Sequence, residues 1–218
     1  MFIQTEATPN EDSLKFLPGT QILSSGATRE FLTPASALVS PLAMSLFEID
    51  GVRSVFYGPD FVTVSKQSDH SWALLKPEIF SIIMEHFTSE RPLFKSEEDS
   101  QDEASDTKIL DTDSETVAMI KELLETRVRP TIQEDGGDIA YMGFIEDEGI
   151  VKLSLKGSCR GCDSSSVTLK NGIERMLMHY IPEVTQVEQV TSPEDQVAVD
   201  EFAKFEERLR SEGKSIEM

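Results

Sequence analysis

Nine acidic side chains fall between residues 96 and 116, against the single Lys108 and no aromatic residue. Such a stretch cannot bury enough apolar surface to offset its ordering entropy. It reads as a solvated, self-repelling linker that cuts the chain in two. Roughly twenty flexible residues span ~25 Å on average, and like charges extend them. The chain is therefore expected to fold as an N-terminal domain (1–91), an acidic linker (92–113), a C-terminal domain (114–191) and a tail (192–218).

The first part reads as mixed α and β. "MFIQTEA" suits a short strand and "SPLAMSLFEID" a short helix entering a turn at Asp50-Gly51. "VRSVFYGPDFVTVSK" carries two β-branched and aromatic runs around Gly58-Pro59-Asp60, a hairpin signal. "SWALLKPEIFSIIMEHFTSE" repeats Ile79, Ile82, Ile83, Met84 and Phe87 at helical spacing. His70 and His86 stand alone in sequence and read as surface or packing residues, and Trp72 as a core or helix-start anchor.

The second part gives the order helix, strand, strand, helix, strand. Val117, Ile120, Leu124 and Val128 share a helix face, with Pro130 expected to close it. "GGDIAYMGFIEDEGIVKLSLKG" reads as two strands, residues 164–184 as a helix with its exit at Pro182, and "EVTQVEQVT" as a last strand. "EDGGDI" fits no calcium-loop spacing and reads as a turn. The expected fold class is α+β: two small mixed α/β domains, the second with a sheet covered on one face. The tail reads as a further helix with Ser192 as cap and Val199, Phe202, Phe205 and Leu209 as its stripe.

Charge removes some function classes. The formal net charge is -20. A chain this acidic repels a phosphate backbone and an anionic membrane surface. No run approaches the ~20 apolar residues of a membrane span. Residues 1–30 resemble neither a signal peptide nor a transit peptide, which leaves open whether a presequence was removed.

The only two cysteines, Cys159 and Cys162, sit together in "LKGSCRGCDSSS", between an expected strand and a helix N-terminus. Unpaired backbone N–H groups and the helix dipole favour a thiolate there, and Lys156 and Arg160 add positive potential. The pair is expected to be reactive rather than inert. A redox dithiol is one reading, although the strand order is not that of a thioredoxin core and Ser158 stands where an aromatic residue usually precedes the motif. A metal clip is another. Zinc or an iron–sulfur cluster commonly takes four ligands and one chain offers two thiolates, so a second chain is the simplest completion. His179 lies too far along the same helix to join them. Cysteine counting does not separate zinc from 2Fe–2S or 4Fe–4S.

"GSCRGCDSSSVTLKNGIERMLMHYIPEV" with "VEQV" after it and "RPTIQEDGGDI" before it resembles the C-terminal domain of the NifU-like (Nfu) iron–sulfur scaffold proteins. "FIQTEATPNEDSLKFLPG" and "LFEIDGVRSVFYGPDFVTV" resemble the N-terminal domain of the same family, in the two-domain form of its mitochondrial members and some bacterial relatives. The resemblance implies a non-enzymatic carrier. Cys159 and Cys162 of two chains would share a 4Fe–4S cluster in a homodimer and pass it to apo recipient enzymes, in the mitochondrial matrix with other assembly factors. The N-terminal domain would serve partner binding. Arg160-Gly161 and Asp163 depart from the residues other members often carry, which bears on cluster lability and removes no ligand. A dithiol oxidoreductase and a structural zinc-bridged dimer are the alternatives.

Overall fold

The computed structural model describes residues 2–24, 26–96, 106–160 and 163–191, without the side chains of 163–166. Cys162, the middle of the acidic stretch and the tail helix expected from 192 onward lie outside the described residues.

The first sheet has five antiparallel strands: β1 (Gln4–Ala7), β2 (Ser13–Leu17), β3 (Arg29–Phe31), β4 (Val52–Tyr57) and β5 (Val62–Lys66). Their order is β1-β2-β5-β4-β3. Alternation along β4 and β5 sends Val55, Tyr57, Val62 and Val64 to one face. There they meet α1 (Pro41–Phe47) through Leu42 and Leu46, and α2 (Trp72–Thr88) through Leu75, Ile79 and Ile83. Trp72 opens α2 and its indole N–H donates to the Glu11 carbonyl (2.9 Å). His86 is buried edge-on to Phe87, and His70 bonds Asp69 (2.8 Å), so both are packing or surface residues as expected. Strands β2 and β3 escape sequence reading.

The other face of this sheet is buried too. Lys15, Phe56 and Thr63 alternate away from the helices yet are shielded from water. What covers them is the second domain.

That domain has a three-stranded sheet of β6 (Gly137–Ile145), β7 (Ile150–Gly157) and β8 (Gln186–Gln189), in the order β6-β7-β8. Strands β6 and β7 are an antiparallel hairpin; β7 and β8 are parallel, joined through α5 (Asp163–Tyr180). Leu153, Leu155, Ile139 and Val151 meet Ile173 and Leu177 of α5 and Ile120 of α3 (Glu115–Leu123) in one core.

Pro130 does not close the first helix. A π-helical turn at Leu124–Val128 leads into α4 (Arg129–Glu134), with Pro130 in its first turn. The wider turn accommodates a ring and a missing N–H that a regular helix interior would not. Leu124, Val128 and Ile132 thereby stay on the buried side.

Both described ends of the acidic stretch are packed. Lys95 N–H donates to the Val39 carbonyl (2.9 Å). Asp106 pairs with Arg129 (2.7 Å), and Asp113 with Lys121 (2.7 Å). Acids that look solvating in a composition count here satisfy two cations that are themselves shielded.

Candidate functional site

Strand β7 ends at Gly157, whose φ of +66° turns the chain away from the sheet. A Cβ there would stand 2.9 Å from the Gly136 carbonyl oxygen and 3.0 Å from the Phe56 ring. The turn closes with Arg160 N–H donating to the Gly157 carbonyl (3.1 Å). Ser158 Oγ anchors it from below by donating to the Asp135 carbonyl (2.6 Å). Cys159 is thus fixed between β7 and α5, as the sequence predicts.

The thiol points inward. Cys159 is 7% exposed and packs into the second core. Its floor is Gly137, where a Cβ would come within 2.7 Å of Sγ. "EDGGDI" is therefore a turn, as read, but one in which Gly137 makes room for the sulfur and Gly136 for Thr63 of the first domain. Gly157→Val is expected to destabilise the chain by about 2–4 kcal/mol, from the left-handed backbone and the crowding together. Urea unfolding checks this; a loss below about 0.5 kcal/mol would mean the turn can relax.

The electrostatics differ from the sequence expectation. Burial, above all, pushes the Cys159 thiol up to about 12; Ser158 opposes this, while Asp135, Asp138 and Glu30 reinforce it. A helix N-terminus and a nearby Arg were expected to lower it. Arg160 instead pairs with Glu30 of the first sheet (2.6 Å).

The first domain contributes directly to the turn. Asn10 Nδ2 donates to the carbonyls of Ser158 and Arg160, 3.2 Å each. Glu30 Oε1 accepts from Gly157 N–H (2.8 Å). Thr28 Oγ1 donates to Asp138 (2.6 Å), and Thr63 Oγ1 to the Gly136 carbonyl (2.8 Å). Sequence reading missed all four. Among the described residues, no three His, Cys, Asp or Glu side chains converge on a metal-sized site. No described helix is long and apolar enough to cross a membrane.

Comparison with known proteins bears on this arrangement. Residues 3–90 match the family described as Scaffold protein Nfu/NifU N terminal, and residues 120–188 match the NifU-like domain. The turn with Cys159 lies inside the second match. A NifU-like protein of Schizosaccharomyces pombe is 55% identical over 96% of this chain and 80% of its own length.

The chain belongs to the NifU-like (Nfu) family.

The Drosophila willistoni protein named NFU1 iron-sulfur cluster scaffold homolog, mitochondrial, is 53% identical to this Nfu chain over 99% of it and 72% of the fly protein. A solution structure of a NifU-like protein from Saccharomyces cerevisiae is similar over 44% of this Nfu chain and 86% of its own, at 27% identity and a TM-score of 0.40.

Proposed function

We propose that this protein is an iron–sulfur cluster carrier and not an enzyme. In this reading Cys159 and Cys162 of two chains hold one 4Fe–4S cluster as cargo and release it to apo recipient proteins. The carrying observation is the glycine-bounded turn that fixes Cys159 between a strand and a helix, inside the stretch matching the NifU-like domain. Two thiolates per chain leave a cluster half-ligated, so the functional unit is a homodimer. A cluster bound at an interface can leave by stepwise exchange with the acceptor's thiolates. By the same reading it works in the mitochondrial matrix alongside other assembly factors, supported by the word mitochondrial in its relatives' names.

Anaerobic reconstitution with iron and sulfide tests this. The expected product is a brown dimer with about four irons per two chains, falling to monomer mass on chelation. A monomer carrying a full cluster would overturn the shared-ligand reading. A colourless dimer holding only zinc would favour the structural zinc bridge, because Zn²⁺ is d¹⁰.

A further inference from the structure

Resting on the reading that two chains share one cluster, we infer that the N-terminal sheet is an intramolecular latch on the Cys159 turn. Asn10 and Glu30 hold the turn closed within one chain, and the latch must open before a second chain's turn can meet it.

Three observations carry this. First, the contacts flank the thiol on both sides. Asn10 takes the carbonyls of Ser158 and Arg160, one before Cys159 and one after. Glu30 takes Gly157 N–H and the Arg160 guanidinium. In the shared-cluster reading a second chain's turn must come close to Cys159, and these contacts hold the turn against a domain of its own chain.

Second, the charges oppose loading. Four thiolates around a 4Fe–4S core of charge 2+ leave a net negative group. Arg160, the cation nearest in sequence to both cysteines, would stabilise it. In the latched form Glu30 engages that cation at 2.6 Å and adds its own negative charge beside the turn. Docking and loading are therefore antagonistic.

Third, the junction is reversible in kind. Lys15 to the Glu134 carbonyl (3.1 Å), Thr63 to the Gly136 carbonyl and Thr28 to Asp138 are hydrogen bonds that water can replace. On this face of the first sheet Phe56 and Phe61 are buried side by side, their ring centroids 6.0 Å apart.

The test uses the full apo chain: wild type, Glu30→Ala, Glu30→Gln, Asn10→Ala and the Asn10→Ala/Glu30→Ala double variant. Amide exchange is followed by NMR at Gly157, with Val151 in the middle of β7 as fold control. Gly157 is expected to be protected in wild type and to exchange about tenfold faster in Glu30→Ala, with Val151 unchanged. Glu30→Gln retains an acceptor but loses the charge, so it should lie between. Under iron and sulfide the double variant should form holo dimer severalfold faster than wild type. Equal Gly157 exchange in wild type and Glu30→Ala, or faster exchange with an unchanged loading rate, would overturn the latch. If no form, wild type included, takes up iron while Gly157 still responds, the cluster-sharing reading is what fails, and gating fails with it.

Discussion

Serine at either Cys159 or Cys162 is expected to abolish iron binding nearly as fully as both changes together. In a shared site each single substitution removes two ligands of four. A serine hydroxyl is hard and stays protonated, a poor replacement for thiolate on iron. Cys159 packs against Gly137 and the second core, so Cys159→Ser places a hydroxyl in a sulfur-shaped site at a cost of about 1–2 kcal/mol. Iron content after anaerobic purification, with circular dichroism as fold control, decides the outcome. A dithiol oxidoreductase predicts otherwise: Cys159→Ser inactive, and Cys162→Ser trapping a mixed disulfide with substrate. Iron retained in either variant, or an adduct trapped in the Cys162 variant alone, would overturn the carrier.

Arg129→Met is expected to cost about 3–5 kcal/mol at neutral pH. Asp138 is 1% exposed, and Arg129 Nη1 stands 3.6 Å from it. The same guanidinium bonds Asp106 at 2.7 Å and lies 3.2 Å from Glu125, though Nε is not aligned for a hydrogen bond there. Methionine keeps much of the volume and leaves a buried carboxylate with only Thr28 O–H and its own Ile139 N–H as donors. Burial already pushes the Asp138 carboxyl above the usual carboxylate range, with Arg129 pulling it back. Without Arg129 it rises further. A carboxyl raised in the folded state favours folding at acid pH, and that contribution is lost as pH rises through its folded value. The penalty of Arg129→Met should thus shrink toward about pH 4 and grow toward neutrality. A penalty independent of pH in urea unfolding would show that the ion pair is not its source.

The hairpin at Gly58-Pro59-Asp60 and helices α2 and α5 were legible because periodicity and punctuation are local signals. Strand β2 was not. Its consecutive residues Ser13, Leu14, Lys15 and Phe16 are all buried, because helices cover one face and a second domain the other. No local pattern encodes that second cover. Pro130 misleads because a π turn, which has no composition cue, absorbs it. At the site, the motif announced Cys159. Asn10 stands 148 residues from Ser158, and Glu30 stands 127 from Gly157, beyond any spacing argument. The thiol's raised pKa follows from the same distant source: it depends on which charges the other domain brings, and Arg160 met a carboxylate the sequence could not place beside it.

Most of the N-terminal domain's contacts on the second domain described above reach main-chain atoms. Asn10 bonds two carbonyls, Glu30 an N–H, Lys15 and Thr63 two carbonyls more, while Thr28–Asp138 and Glu30–Arg160 join side chain to side chain. Main-chain atoms are common to every amino acid. The first domain therefore recognises a shape rather than a spelling. Substitution at Ser158 leaves Asn10's acceptors in place, whereas substitution at Arg160 keeps those acceptors but loses the pair with Glu30. A rotation of those peptide planes, by contrast, would disturb Asn10 and Glu30 together, which makes their grip a gauge of backbone conformation at Cys159.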